Sequence, residues 1–570
     1  MTSKLRIRRR RSSSRHGEAR TLIYPGGLGA LITTFLLAVI LMTGPLILGA
    51  ARLWIELPLL GVVALLLVVQ GLRLATRPPA GAQRRADAID LSVALFVLYA
   101  IVRWLTSPAG YFSRIEAMDV SACAGVFFTC RYGMANRRYG MALLYLLVFL
   151  GVGETVFGYY LINHPDWFPF GPTERMQLYY APRWVGTYGS PNHYASLLVM
   201  AIGAALAVGS FSKLEWPVRI ILIYVSIMMM VGVMYSGSRG SWIALLAAIC
   251  ALVIMGIRNG TMPWWVPVMG ALALVAVSGF LFSLSPVVGE RLTDARHLIF
   301  GGKLAADSRV QLARDALRIA HDHPFFGTGP GTFVFIHPRY RDSAFALKAE
   351  PTRDDFLNCL DDYGLVGLGL ALFFVAAVTL KFFRPLGVDH RWQDRVLVAT
   401  GFAAWAALLV HSLVDFNLHI PANALLLFSL TGMALGRIQE EKKVHWSTLS
   451  LAPLGRWLGW GVVLLSLIYG VQAARTALSD WAYEKAFVRQ NEIPLSDDIA
   501  AAVQALRYDP GNVQAMVFLG DSHRSAAALC KKPSDREIQE KMALDAYRKA
   551  LQANSLDESV QQRIDSIPGK

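Results

Sequence analysis

Apolar runs of roughly 17 to 25 residues, the length that crosses a hydrocarbon core, recur through most of this chain with short polar connections between them. They fall near 28–50, 56–75, 89–106, 115–131, 139–162, 191–210, 218–236, 239–257, 262–284, 356–381, 396–418, 420–438 and 456–475. That makes about thirteen candidate spans, with the fourth the weakest. Beyond residue 475 the pattern changes to helical periodicity with polar faces, so 476–570 is expected to be a soluble helical domain. The predicted fold class is therefore all-α: a polytopic membrane protein of about 12–13 transmembrane helices plus a soluble α-helical repeat domain.

Composition narrows this further. With 54% hydrophobic and 17% charged residues, and a mean hydropathy of +0.42, the chain is too apolar for a soluble multidomain protein. Its formal charge of +15 and pI near 9.6 could suit a polyanion. The basic residues, however, concentrate in the N-terminal stretch 1–27 and in the connections holding Arg77, Arg84 and Arg85, then Arg131, Arg137 and Arg138, then Arg384, Arg391 and Arg395. All of these fall on one side if the spans alternate, with roughly 25 Lys and Arg there against about five opposite, so the positive-inside rule makes that side cytoplasmic. Nucleic acid is then not an expected partner. The first apolar run lacks a small-residue cleavage site and is long enough to span, which predicts an anchor.

The same alternation places the long loop 285–355 and the C-terminal domain on the outer face. In the tail, ALRYDPGN at 505–512 is echoed by ALQANSLD at 550–557, each closing a helix-length segment, as in tetratricopeptide-type helical hairpins. Pro510 and Gly511 are expected to end one helix and Asn512 to cap the next. Such repeats serve either as a helical cap on the membrane domain or as a groove for a protein partner. Cys123, Cys130, Cys250, Cys359 and Cys530 show no metal-ligand spacing, and Cys530 is expected to be a free buried thiol.

The chemistry should lie in and around the outer loop, which holds Arg291, Arg296, Lys303, Arg309, Arg314, Arg318, Arg339, Arg341 and Arg353 beside His321, His323 and His337. Ahead of it, GTYGSPNHYAS at 186–196 puts Pro191, Asn192 and His193 in the first turn of a span, as helix start or as substrate contact. YSGSRGSW at 235–242 holds Arg239 at the outer boundary among small and hydroxyl residues, a setting for phosphate. Arg314 and Arg318 lie four apart on what should be a basic amphipathic interfacial helix. GTGPG at 327–331 lacks the lysine and the strand-to-helix setting of a nucleotide loop. Asp354, Asp355, Asp361 and Asp362 enter the next span and are costly there unless paired, with the nearby arginines as expected partners. His411 and Asp415, four apart, are expected to share a helix face as an intramembrane polar pair, either a structural hydrogen bond or a proton relay.

Taken in order, GTYGSPNHYA, SGSRGSW, HDHPFFGTGPGTF, DDFLN with DYGLVGLGL, and HSLVDFNLHIPAN resemble the O-antigen ligase and polymerase superfamily over about 140–440. The resemblance implies a GT-C-like membrane glycosyltransferase at the outer face of a bacterial inner membrane. It would move a glycan from a polyprenyl-diphosphate donor to a lipid, sugar or protein acceptor, with no metal, nucleotide sugar or other cofactor. Arg239 and Arg309 match the family's phosphate-handling arginines, and Arg314 and Arg318 would guide the glycan or lipid head group. Where the family typically carries a histidine before the returning span, this chain reads Arg353, Asp354, Asp355, and a guanidinium cannot serve as a general base near neutral pH. Either Asp354 or Asp355 takes that role, or His337 reaches in, or the chain does not catalyse the transfer. The rival class is a transporter or polysaccharide-assembly scaffold that kept the fold.

Overall fold

The computed structural model describes residues 27–76, 87–134, 136–164, 180–260, 289–290, 293, 308–341, 352–384, 391–438, 455–488 and 494–567. The basic stretch before residue 27, the connection with Arg77, Arg84 and Arg85, the span expected at 262–284, and Arg291, Arg296 and Lys303 lie outside them. Within the described residues the chain is helical. The helices α1 (Gly27–Leu46), α2 (Leu53–Thr76), α3 (Ala88–Leu105), α4 (Gly110–Phe128) and α5 (Arg137–Asn163) come first, followed by α6 (Pro191–Phe211), α7 (Trp216–Tyr235) and α8 (Arg239–Arg258). The outer loop contributes α9 (Ser308–Asp322). After it come α10 (Asp355–Phe382), α11 (Trp392–His411), α12 (Pro421–Leu435) and α13 (Gly455–Phe487), then the tail helices α14 (Leu495–Tyr508), α15 (Val513–Leu529), α16 (Pro533–Ala553) and α17 (Glu558–Asp565).

Ten of these, α1, α2, α3, α5, α6, α7, α8, α10, α11 and α13, are long and apolar enough to cross a bilayer. Helix α4 occupies the place of the weak fourth span; it carries Arg114, Glu116 and Asp119. Helix α12 is apolar but has only 15 residues. The bundle is centred on α6, whose Ala- and Gly-rich turns are buried on nearly every side against α5, α7, α8 and α11. Small side chains permit that close approach, which in a membrane takes the place of a hydrophobic driving force.

The longest helix, α13, packs along α2 at a crossing with no room for side chains: a Cβ on Gly459 would sit 2.4 Å from the Ala75 nitrogen. Gly459→Val is therefore expected to force the two helices apart and cost about 1–3 kcal/mol. A lowered unfolding midpoint in detergent would register this; an unchanged midpoint would show that the crossing can yield.

Helix α13 continues into the tail without a break, so the domain boundary expected near 475 falls inside a helix. The two echoed segments build the same turn twice. Asp509 and Asn554 each accept from the amide two residues on, at 3.1 and 3.2 Å, and Asn512 and Asp557 each cap the helix that follows. Both turns dock on the corner between α3 and α4. Asp509 pairs with Arg114, and the Ser555 amide bonds to the Pro108 carbonyl at 3.3 Å, while Tyr111 and Ile115 of α4 enter the tail's own apolar core. Arg339 of the outer loop reaches Glu558 at 2.8 Å. Cys530 is free and half-buried.

Helix α10 is interrupted at Gly364, whose φ of +67° is open to glycine without strain. The outer loop fills the interruption. The Thr328 and Gly329 amides bond to the Asp361 and Asp362 carbonyls at 2.8 and 3.0 Å, and the Leu365 and Val366 amides bond to the Pro324 and Phe325 carbonyls at 2.8 and 3.2 Å. Two carbonyls and two amides freed by the break thereby find partners, as irregular backbone at membrane depth requires.

Candidate functional site

The connection between α7 and α8 is only Ser236, Gly237 and Ser238, and Gly237 takes a φ of +61° to close it. Ser238 caps α8 by accepting from the Ser241 amide, which leaves Arg239 as the first helical residue. Its guanidinium is half-buried and has no hydrogen bond or ion pair to any described residue. A guanidinium held part-way out of water without a counter-charge is prepared for an anion that the protein itself does not supply.

Beside this turn, α6 begins at Pro191, as expected, and buries Asn192 and His193 in its first turn. Arg183 joins the two motifs: its Nε donates to the Ser236 carbonyl at 2.6 Å and its Nη2 to Asn192 Oδ1 at 3.1 Å. Arg183 sits in an aperiodic stretch, and no pattern in the sequence marks it.

His411, at the end of α11, lies between α6 and α8. Its Nδ1 meets Ser196 Oγ at 2.8 Å and its Nε2 meets Ser241 Oγ at 3.4 Å. Gly240, next to Arg239, lies against its ring so closely that a Cβ would come within 2.8 Å. The charge of Arg309 acts on His411, and those of Arg353, Asp355 and Asp415 act on His193, which also faces Phe416 edge-on at 5.1 Å. Arg309 thus acts on His411 and Arg353 on His193, while Arg239 precedes the glycine that touches His411. Helix α11 ends at His411, and Asp415 lies in the following turn, where its amide bonds to the His411 carbonyl at 3.0 Å and its charge acts on His411. The His411 side chain bonds to serines, while one Asp415 oxygen accepts from the Phe416 amide and the other is buried without a partner.

Across the site, Asp354 caps the returning helix. Its Oδ1 accepts from the Phe356 and Leu357 amides at 2.8 and 2.9 Å, and its Oδ2 has no partner among the described residues. Burial raises its pKa above the usual carboxylate range against those amide bonds. Asp355 is only 6% exposed and fully engaged: Ser412 Oγ at 2.6 Å, the Leu418 amide at 3.2 Å and His419 Nδ1 at 3.0 Å all meet it. His419, in the turn between α11 and α12, also approaches Asn358 Nδ2 at 2.7 Å and Glu116 at 3.9 Å. Burial works against a positive charge there. The bond to Asp355 and the charges of Glu116, Asp355 and Asp362 outweigh it and push the imidazole up to about 9. Among the described residues no arginine pairs with the four carboxylates at this entrance, contrary to expectation. Asp362 takes the Gly331 and Thr332 amides at 2.9 and 3.3 Å, and Asp361 has no side-chain partner. The GTGPG amides thus hold a carboxylate of the chain itself.

His337 is fully buried in the loop's small core of Leu312, Ala316, Ile319, Phe333 and Ile336. It stacks on Phe333, and its Nε2 lies 3.2 Å from Asp315. Burial lowers its pKa although Asp315 pulls the other way. On α9, Arg314 and Arg318 are exposed, and Arg318 bonds to Asp315 at 3.1 Å, while Arg309 is half-buried. The structure therefore links Arg353, Asp355 and Asp415 to His193 and Arg309 and Asp415 to His411, sets Arg239 next to the glycine that touches His411, and encloses His337 in the loop. Ser196, Ser241 and His419, which lie inside the motifs noted in the sequence, are also present, as is Arg183, which lies outside all of them.

Arginines near His193 and His411 suit a polyvalent anion and can stabilise negative charge that grows on it. A family model described as O-Antigen ligase matches residues 224–374. The match begins in α7, ends inside α10, and takes in Arg239, Arg309 and Asp354. No curated protein matches the chain. The family supports a membrane glycan-transfer role of the O-antigen ligase or polymerase type, in a multi-pass membrane protein.

Proposed function

We propose that this protein transfers or polymerises a glycan from a polyprenyl-diphosphate donor onto a lipid, sugar or protein acceptor at the outer face of a bacterial inner membrane. The observation that supports this is the Arg239 guanidinium, half-buried and without a partner among the described residues, inside the segment that matches the ligase family. In the transfer, an acceptor hydroxyl attacks the anomeric carbon and the bond from that carbon to the diphosphate oxygen breaks. Polyprenyl diphosphate leaves with the electron pair, and the hydroxyl proton passes to a base. Arg239 and Arg309 hold the diphosphate, with Arg353 close by, and their charge matters most as the bond breaks. Of the carboxylates, Asp354 is favoured as the base, since it keeps an uncommitted oxygen and a raised proton affinity, while Asp355 positions His419 and the start of α10. The tail, mounted on the α3–α4 corner and bonded to Arg339, would act at the same outer face as a bracket for the loop or as a dock for a protein partner.

The test is transfer of a labelled polyprenyl-diphosphate glycan by purified protein, with Asp354→Asn as the diagnostic variant. Asparagine caps a helix as well as aspartate does, so folding should be kept while transfer falls by roughly a hundredfold or more. Native transfer by this variant would leave Asp354 with capping alone. Absence of transfer by the native chain to any acceptor, with no donor binding, would favour the transporter or scaffold class.

The rate should follow a bell-shaped pH profile. Its acidic limb lies above the usual carboxylate range, where Asp354 takes up a proton, and its alkaline limb lies near 9, where His419 loses the proton that makes it cationic. His419→Gln should remove the alkaline limb. Persistence of that limb would assign it to another group.

A further inference from the structure

We propose that the Phe325–Phe326 turn of the outer loop is immersed in the outer leaflet of the bilayer and anchors the loop at a set height, with lipid as the occupant of the exposed patch it forms. The two rings are 64% and 60% exposed, yet the backbone that carries them is held at both ends. The Gly327 amide bonds to the His323 carbonyl at 3.1 Å, and the Pro324 and Phe325 carbonyls take the amides freed by the break in α10. A rigid turn that presents two aromatic rings outward has an apolar surface to cover.

The surroundings favour lipid over protein. The break at Gly364 is also where α10 changes character. Above it lie Asp355, Asn358, Asp361 and Asp362; below it Leu365, Val366, Leu372, Phe373 and Leu380 are exposed, and no charge appears before Lys381. On the neighbouring α3, Leu98, Val102 and Leu105 are exposed at helical spacing. Arg103 of that helix bonds to the Gly327 carbonyl at 3.3 Å and Tyr99 to the Tyr363 carbonyl at 2.7 Å, which places the turn directly beside this stripe. Phe325 and Phe326 therefore continue, at the polar boundary of α10, the surface that α3 and α10 turn toward lipid. Aromatic rings are favoured at that boundary. Arg314 and Arg318, exposed on α9 of the same loop, suit the phosphate layer next to it.

The full-length protein would be reconstituted in vesicles of phosphatidylethanolamine and phosphatidylglycerol with p-benzoylphenylalanine in place of Phe326, irradiated, and analysed by mass spectrometry. The same probe at Leu372, on the lipid face of α10, and at Leu529, 76% exposed on the tail, gives the positive and negative references. A phospholipid adduct at 326 comparable to that at 372, and absent at 529, is the expected result. If the 326 variant fails to insert, the probe moves to Phe325. Adducts at 372 without any at the turn, or adducts of the turn to protein, would overturn the proposal.

Discussion

Replacing Arg239 with alanine lowers kcat/KM for the lipid-linked donor by roughly 10²–10³, the loss typical when one preorganised donor to a developing anion is removed. The expectation rests on position and on isolation. Arg239 opens α8 at the outer boundary and adjoins Gly240, which lies against His411, but it bonds to no described residue. Its removal should therefore leave the unfolding midpoint near that of the native protein, since no internal bond is lost. Arg239→Lys should recover only part of the activity, because an ammonium restores charge but not the two-pronged geometry of a guanidinium on a diphosphate. Steady-state transfer at several donor concentrations, with a melting curve for each variant, separates these outcomes. Native rates in Arg239→Ala would sink the assignment of this residue to the diphosphate. Lost activity together with a lowered midpoint would mean that Arg239 supports the fold.

Asp355→Ala should behave in the opposite way, losing stability first and activity with it. The carboxylate joins the start of α10 to the segment after α11, taking Ser412 Oγ, the Leu418 amide and His419 Nδ1, while its own amide bonds to the Ser412 carbonyl at 2.9 Å. Alanine would strand those donors in a buried place and leave the His419 imidazolium facing only Glu116 and Asp362, a change that commonly costs about 3–5 kcal/mol. The pairing with His419 also has a pH signature. Because the histidine is raised to about 9 in the fold, its contribution to stability is complete below its ordinary value near 6.5, and it is lost as pH rises through about 9. Melting curves of the native protein across that window should fall, and those of Asp355→Ala should be flatter. A variant that melts with the native midpoint would show that the three donors find other acceptors, and would reopen the case for Asp355 as the base.

These two neighbours show how far the sequence could lead. Asp354 and Asp355 were both visible as carboxylates at a span entrance, and nothing local distinguishes them. The distinction comes from Ser412, Leu418 and His419, about sixty residues away, which commit Asp355 and leave Asp354 one oxygen. Separation along the chain, about thirty residues here, likewise hid the partners of Asp362. Arginines nearby in sequence looked like the natural counter-ions, but the GTGPG turn arrives with backbone amides instead. His411 and Asp415 have the spacing of one helix face, but α11 ends at His411 and Asp415 lies in the following turn.

What the sequence determined by itself is what repeats over one or two helical turns or over the thickness of a bilayer. Hydropathy located the ten long apolar helices of the described residues, proline and asparagine marked helix starts at Pro191 and Val513, and glycine with serine marked the tight turn before Arg239. Each of these follows from a local rule: the length of an apolar run, the missing amide of proline, or the capping power of a short polar side chain. The tertiary structure alone decided which charges face one another. It brought Arg183 to the SGSR turn, Arg309 near His411 and Arg353 near His193, closed His337 into the loop's core, and split α10 at Gly364 so that the long loop could complete it. Helices in a bilayer associate through close packing and hydrogen bonds rather than through a hydrophobic force between them, and those contacts join residues whose separation along the chain carries no signal.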